Sequence, residues 1–233
     1  MFDLCPNIKA PANEHWALTR LNEIAKEDWH VIDVGAGDGE PYTHFFLHRL
    51  GPSGLIAAFE PGPEHPQLDA LVYGPCGKSV PAITYDVALT RPGDTGTRRV
   101  KYFEYWTLIP ADDARNQCYK TATAPFNCAF MTLDEVLRDT RPVDFIKLDV
   151  DGYEYRVLQG AEDTIRKYSP LLLIELTTFT LENIGDKLED MLTYLFNLGY
   201  VFELPNGKAK TLPGVRAQIP PGSSINAFAR RTR

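Results

Sequence analysis

Short apolar runs alternate with longer amphipathic segments along most of this chain. The apolar runs predict β-strands at residues 31–34, 55–59, 83–89, 144–150, 171–176, 200–204 and 224–229. Apolar positions three and four apart predict a short helix ending at Leu71 and further helices at residues 14–26, 41–50, 131–138, 155–168 and 184–198. Thr132 and Glu135 have the spacing of a capping box, which favours a helix start there.

This order of elements predicts an α/β fold. Strands and helices alternate to about residue 200, which is typical of a doubly wound, mostly parallel sheet with helices on both faces. The last two of the seven predicted strands have no helix between them, so we expect one antiparallel C-terminal strand in a seven-stranded sheet. Residues 1–30 are predicted to form an N-terminal helical extension, and residues 31–233 a single domain.

A glycine-rich turn follows the first predicted strand. Gly35, Gly37 and Gly39 alternate with other residues there, and Glu60 ends the second strand. Glycines let a backbone approach a ligand closely, and an acid at the next strand tip can bind both ribose hydroxyl groups. The pattern predicts a nucleoside site, although a tight turn without a ligand gives the same spacing. A dinucleotide loop needs glycine where this chain has Glu40, which disfavours the alternative of a nicotinamide-dependent oxidoreductase.

Charged residues occupy one face of the fourth predicted strand. Lys147, Asp149 and Asp151 alternate there with apolar residues. A central parallel strand is normally apolar on both faces, and burying a charge is costly unless the charge is paired. An ion pair or a helix cap is the structural explanation. Because Glu154 opens the next helix and Glu175 ends the next strand, all five side chains approach one edge of the sheet, and we predict them as catalytic residues.

Composition and charge limit the class of partner. The 233 residues carry a net charge of -7, which argues against broad electrostatic capture of nucleic acid. No apolar run has the length of a signal-peptide core or a membrane span, so we expect a soluble, cytoplasmic protein without a nucleic-acid or membrane partner. The four cysteines are widely spaced and favour neither a zinc site nor a disulfide framework.

Further motifs lie elsewhere in the chain, beyond the glycine turn. The most specific is Asp-Phe-Ile-Lys-Leu-Asp-Val-Asp-Gly-Tyr-Glu at residues 144–154. It occurs in one order with shorter motifs at residues 33–39, 59–61, 86–89, 131–136, 157–161 and 170–175. Together these motifs resemble the FkbM family of S-adenosylmethionine-dependent methyltransferases, over about residues 31–204.

That resemblance implies S-adenosyl-L-methionine as the cofactor and a methyltransferase domain at residues 31–233. It places the glycines along the methionine part of the cofactor, Asp33 near its amino group and Glu60 at the ribose. The implied cofactor-binding residues are Asp33, Gly35, Ala36, Gly37, Gly39, Glu60, Pro61, Asp86, Val87, Ala88 and Asp149. The family usually has glutamate where this chain has Asp151, so the role of that shorter carboxylate stays open.

The predicted reaction is in-line methyl transfer to a hydroxyl group of a small molecule, either a sugar or a polyketide-like acceptor. The hydroxyl acceptor is implied by the resemblance, and a carboxylate beside the methyl group can take up the hydroxyl proton. N-methylation is the nearest alternative. A non-catalytic binding protein that keeps the fold is the alternative outside enzymes, and assembly into a homo-oligomer stays open.

Two further groups of residues leave alternatives open. Clustered carboxylates can bind Mg²⁺, but the ligand pattern of metal-dependent O-methyltransferases is not evident, so no metal site is predicted. His44 and His48 lie four apart on a predicted helix without a further ligand. Either an acceptor pocket or ordinary core packing explains the aromatic residues Tyr102, Phe103, Tyr105 and Trp106.

Overall fold

The computed structural model describes residues 8, 10–74, 79–103, 107–113, 124–138 and 141–232. Its strands are β1 His30–Val34, β2 Leu55–Phe59, β3 Ala82–Tyr85, β4 Ala88–Leu89, β5 Gly96–Phe103, β6 Thr107–Pro110, β7 Phe126–Met131, β8 Phe145–Leu148, β9 Leu171–Leu176, β10 Tyr200–Leu204, β11 Gly207–Ala209 and β12 Ile225–Arg231. Its helices are α1 His15–Ile24, α2 Tyr42–Arg49, α3 His65–Val72, α4 Leu133–Val136, α5 Glu154–Gln159, α6 Glu162–Tyr168, α7 Phe179–Asn183, α8 Leu188–Asn197 and α9 Leu212–Arg216. In these residues, no helix has the length and apolar character that a membrane span requires.

The main sheet has eight strands in the order β11-β10-β12-β9-β8-β1-β2-β3. Strands β9, β8, β1, β2 and β3 run parallel, whereas β12 is antiparallel to both β9 and β10. The doubly wound, mostly parallel α/β fold is therefore confirmed. The predicted number of seven strands is wrong, because β11 pairs with β10 in a short hairpin that adds an eighth strand.

Alternate residues of the central strands pack on opposite faces of the main sheet. Val31 of β1 packs with buried residues of α1, α2 and α3 on one face. Ile32 and Val34 of the same strand pack with buried residues of α5, α6 and α8 on the other. Helices thus cover both faces, as the alternation of elements predicts, and this includes the N-terminal helix α1.

A second, four-stranded sheet was not predicted. It has the order β4-β7-β5-β6, with β5 antiparallel to both of its neighbours. The single strand predicted at residues 83–89 is divided between the two sheets, since β3 pairs with β2 and β4 pairs with β7. This second sheet lies beside the carboxyl ends of the main strands, where Tyr102 of β5 contacts Glu60.

Two predicted helices also differ from the structure. The helix predicted at residues 155–168 consists of α5 and α6, separated at Gly160, where a Cβ atom would lie 2.0 Å from the Thr90 carbonyl oxygen. That close approach of two backbones requires glycine and interrupts the helix. The helix predicted at residues 184–198 begins later, at Leu188. The capping box of Thr132 and Glu135 at the start of α4 is confirmed, with both reciprocal hydrogen bonds present.

Candidate active site

A cavity of about 340 Å³ lies at the carboxyl ends of β1, β2 and β8. This is the edge at which parallel α/β sheets bind their ligands. The cavity is lined by Val34, Gly35, Gly37, Asp38, Phe59, Glu60, Pro61, Glu64, Val87, Ala88, Leu89, Tyr102, Leu108, Asp149, Val150, Asp151 and Tyr153. The ionisable side chains in this lining are carboxyls and tyrosines, so the cavity favours a cationic ligand over an anionic one.

The glycine turn is held against the ends of two neighbouring strands. The backbone N–H groups of Gly35 and Ala36 both donate to the Phe59 carbonyl oxygen, at 2.9 and 3.0 Å. Gly35 has a φ of +75°, and a Cβ atom there would lie 1.8 Å from the Asp149 carbonyl oxygen. Glycine at this position therefore allows the turn after β1 to approach the end of β8.

Glu60 is buried at the end of β2 and binds the glycine turn directly. The Gly37 N–H donates to its Oε2 atom at 2.9 Å, and the Tyr102 hydroxyl lies 2.8 Å from its Oε1 atom. The same hydroxyl lies 2.8 Å from the Pro61 carbonyl oxygen. Burial raises the pKa of Glu60, whereas these hydrogen bonds oppose the rise. The second sheet thus contributes a side chain to the cavity through Tyr102.

Lys147 and Asp33 form a buried charged pair below the glycine turn. Lys147 Nζ donates to the Gly35 carbonyl oxygen at 2.6 Å and lies 3.4 Å from Asp33 Oδ1 and 3.6 Å from Asp149 Oδ2. The Thr43 hydroxyl donates to the other oxygen of Asp33 at 2.6 Å. Burial by itself lowers the pKa of Lys147, but the neighbouring carboxylates raise it above its ordinary value. The raised pKa favours the charged form of Lys147, which pairs with these carboxylates.

The carboxyl groups of Asp149 and Asp151 both line the cavity. The side chain of Asp149 is 30% exposed. Asp151 has a left-handed backbone conformation with a φ of +48°. Burial, followed by the nearby charges of Asp149 and Glu175, raises the pKa of Asp151 to about 9. Two neighbouring carboxyl groups with different surroundings are a common arrangement for acid and base roles.

The other two predicted catalytic acids lie outside the lining of this cavity. Glu154 is fully buried and accepts hydrogen bonds from the Val150 N–H at 3.0 Å and the Gly152 N–H at 3.0 and 3.2 Å. Burial raises its pKa to about 7. Glu154 thus fixes the loop between β8 and α5. Burial and the charge of Asp149 raise the pKa of Glu175 to about 8.

Four of the predicted cofactor-binding residues also lie outside the lining of this cavity, namely Asp33, Ala36, Gly39 and Asp86. The Asp86 side chain is exposed and accepts a hydrogen bond from the Gly62 N–H at 2.9 Å. Gly39 faces Leu71 of α3, where a Cβ atom would lie 2.3 Å from a side-chain carbon. Asp33 is 1% exposed beneath the turn. Val87, Ala88 and Pro61 do line the cavity, and Ala36 lines a second cavity that is described below.

Several lining residues were not identified from the sequence. Leu108 lies in none of the motifs, whereas Tyr153 lies in the motif at residues 144–154 but was not predicted as a site residue. They reach the cavity from β6 and from the loop after β8. Tyr102, for which the sequence leaves an acceptor pocket and core packing open, lines the cavity and binds Glu60. Tyr105 and Trp106, to which the same alternatives apply, lie outside the described residues. Only tertiary packing brings these segments to the cavity.

A second cavity adjoins the first on the face covered by α1 and α2. It shares three residues with the first cavity, namely Gly35, Gly37 and Asp149. The remainder of its lining is Ala10, Pro11, Glu14, Ala36, Glu40, Pro41, Tyr42 and Lys147. The two cavities therefore meet at the glycine turn and the end of β8.

The described residues contain no group of three or more histidine, cysteine, aspartate or glutamate side chains arranged to hold a metal ion. His44 and His48 do lie together, with their Nε2 atoms 3.1 Å apart, and His44 Nδ1 lies 2.7 Å from Glu40 Oε1. In these contacts a hydrogen bond joins the two imidazole rings.

Comparison with known proteins gives one family and one fold. The family model described as Methyltransferase FkbM domain matches residues 33–202. A structure of the methyltransferase FkbM from Methylobacillus flagellatus KT is similar, with 14% identity, a TM-score of 0.51 and coverage of 89% of this chain. This chain spans 44% of the length of that protein. A search of curated protein sequences found no significant match.

Two other solved structures share the fold. A putative rRNA methylase from Clostridium thermocellum has 9% identity and a TM-score of 0.52, covering 97% of this chain and 98% of that one. A SAM-dependent O-methyltransferase from Thermotoga maritima has 13% identity and a TM-score of 0.50, covering 97% of this chain and 67% of that one. At these identities, the likeness extends to the fold alone.

Proposed function

Because this chain belongs to the FkbM methyltransferase family, we propose that it is an S-adenosylmethionine-dependent methyltransferase that methylates a hydroxyl group of a small molecule. The observation that carries this proposal is the acidic cavity in which Glu60 and Asp149 flank the glycine turn. S-adenosylmethionine, when bound there, supplies a methyl group on a positively charged sulfur. The carboxyl groups of the lining are complementary to that charge.

The residues of the cavity suit the nucleoside part of this cofactor. Each oxygen of a carboxylate can accept two hydrogen bonds, so Glu60 can accept from ribose hydroxyl groups while it binds Gly37 and Tyr102. Val87 and Ala88 give the same cavity an apolar wall for the adenine ring. Gly37 has no atom within 4 Å of the place where a Cβ would stand, so the turn leaves space for a ligand.

The proposed chemical step depends on the two aspartates after β8. Asp149, whose side chain is 30% exposed, can accept the proton of an acceptor hydroxyl group. Asp151, whose pKa is about 9, keeps its proton near neutral pH and can donate a hydrogen bond to the acceptor. Lys147 and Glu154 then hold the turn and the loop in place, at Gly35 and Gly152 respectively.

The finer parts of the proposal concern the acceptor. We propose a sugar or polyketide-like small molecule and oxygen rather than nitrogen as its reacting atom. A cytoplasmic location and the lack of a nucleic-acid partner belong to the same proposal. The net charge of -7 supports the exclusion of nucleic acid.

A methyl-transfer assay tests this proposal. The protein is incubated with S-adenosylmethionine labelled in its methyl group and with sugars and polyketide alcohols, each paired with its amine analogue. We expect label in the hydroxyl compounds, and a reduction of kcat by about 100-fold in Asp149→Asn because the proton acceptor is removed. Asp112→Asn, an exposed aspartate outside both cavities, is the control. Transfer to the amine analogues alone would contradict O-methylation.

A further inference from the structure

The second cavity contains a buried carboxylate that comes from the N-terminal segment. Glu14, just before α1, is 8% exposed and lines this cavity. The Tyr42 hydroxyl and the Asn226 amide both donate to its Oε2 atom, the latter at 2.8 Å, and the Asn13 amide donates to its Oε1 atom at 3.1 Å. Donors from α2 and β12 thus fix this carboxylate at the cavity wall.

Glu14 belongs to a polar layer on the face of the main sheet that α1 and α2 cover. Asp33 of β1 is paired in register with Lys147 of β8, and both project towards this face. Further along the sheet, Glu175 of β9 is paired in register with Asn226 of β12. The layer therefore places several carboxyl groups and the Lys147 ammonium around one small space.

The two cavities share part of their lining, so a long ligand that passes the shared residues reaches both. Gly35, Gly37 and Asp149 line each of them. A ligand with its adenosine in the first cavity must pass these three residues to enter the second. The end of S-adenosylmethionine beyond its sulfur is an amino acid with one ammonium and one carboxylate group. The second cavity offers the Glu14 carboxylate to the ammonium group.

The resemblance places the methionine part of the cofactor along the glycine turn, which lines the second cavity. We propose that Glu14, in the wall of that cavity, binds the ammonium group at this end of S-adenosylmethionine. This inference rests on the proposed function. Glu14 precedes the residues 33–202 that the family model matches, so its contribution is a feature of this chain's N-terminal segment. Its Oε1 atom accepts from Asn13 and has a second lone pair for an ammonium donor.

A comparison of two ligands tests this inference. S-adenosylhomocysteine keeps the amino-acid end, whereas 5′-methylthioadenosine has the same adenosine and sulfur without it. In calorimetric titrations, we expect Glu14→Gln to weaken the binding of S-adenosylhomocysteine about tenfold, because a charged hydrogen bond is lost. The same substitution should change the binding of 5′-methylthioadenosine less than about twofold. Glu27→Gln, at a side chain that is 76% exposed, should alter neither affinity.

The outcomes separate the inference from the function on which it rests. An equal effect of Glu14→Gln on both ligands, including no effect on either, would refute the inference and leave the proposed function intact. Failure of the wild-type protein to bind both ligands would refute the proposed function and the inference with it. If Glu14→Gln does not fold, Tyr42→Phe replaces it, since it removes one donor to Glu14 and should selectively weaken S-adenosylhomocysteine binding.

Discussion

At the scale of single residues, the carboxyl groups near the cavity differ because their surroundings differ. Burial raises the pKa of Glu154 to about 7, although the backbone N–H groups that donate to its carboxylate oppose the rise. Burial and neighbouring negative charges raise the pKa of Asp151 to about 9. Equal chemical groups within four positions of each other thus differ in protonation near neutral pH. One of them can donate a hydrogen bond that the other, once ionised, cannot.

The raised pKa of Asp151 predicts a dependence of stability on pH. Between about pH 4, the ordinary pKa of aspartate, and its folded value of about 9, the folded state holds a proton that the unfolded state releases. The free energy of unfolding therefore falls as the pH rises through this window. In Asp151→Asn this contribution disappears, so we expect the loss of Tm between pH 5.5 and pH 8.5 to become smaller than in the wild type.

Thermal unfolding at the two pH values measures this effect. Glu154 and Glu175 have pKa values raised in the same direction, so part of the pH dependence should remain in the variant. Asp112→Asn, an exposed substitution of the same kind, should keep the full wild-type dependence. The same pH dependence in Asp151→Asn as in the wild type would show that Asp151 is ionised in the folded protein.

At the scale of elements, the site depends on how closely the turn after β1 approaches the end of β8. We expect Gly35→Ala to abolish cofactor binding and to lower the Tm strongly, because its Cβ would lie 1.8 Å from the Asp149 carbonyl oxygen. Gly93→Ala is the matched control. It has a φ of +86° but open space, so it should cost only about 1–2 kcal/mol. Similar losses of Tm in the two variants would show that the close approach is not required.

The second sheet reaches the site through one hydroxyl group. Tyr102→Phe removes the contact with Glu60 Oε1, so we expect S-adenosylhomocysteine to bind about three- to tenfold more weakly. Tyr200→Phe also removes a buried hydroxyl, which donates to the Pro170 carbonyl oxygen at 3.0 Å far from the cavity. Both variants should lose about 1 kcal/mol of stability, but only the first should lose affinity in a calorimetric titration.

The main sheet could be predicted from the sequence because its strands are continuous apolar runs. Leu55–Phe59 and Leu171–Leu176 were predicted with the bounds that the structure has. The second sheet could not be predicted from the sequence, because β4 has only two residues and β5 pairs with β7, which is distant along the chain. Local periodicity carries no information about such pairing.

In the candidate site too, local motifs could be predicted from the sequence, whereas tertiary contacts could not. Glu60 and the glycine turn were predicted from a local motif, and both line the cavity. Glu154 carries an equally clear motif signal but binds backbone N–H groups instead. Glu14 carries no motif signal, because its position in the wall of the second cavity depends on how α1 packs against the sheet. Whether a charged residue faces a cavity is decided by tertiary contacts that its neighbours in sequence do not encode.

At the scale of the whole molecule, the two faces of the main sheet differ. The face covered by α5, α6 and α8 has an apolar core, whereas the face covered by α1 and α2 includes the polar layer that contains Asp33 and Lys147. The layer ends at the two adjoining cavities. Pairing between its charges and their access to a cavity offset the free-energy cost of burying them. This arrangement fits an elongated, positively charged ligand that crosses from the second sheet towards the N-terminal segment.

Calorimetric titration of the wild-type protein with S-adenosylhomocysteine and with NAD⁺ tests whether the cavities form a site for the methyltransferase cofactor. Both ligands contain adenosine and can place a ribose against Glu60, but only the first has the amino-acid end that suits the second cavity. We expect one molecule of S-adenosylhomocysteine bound per chain and no binding of NAD⁺. Binding of NAD⁺ together with no heat from S-adenosylhomocysteine would contradict this expectation.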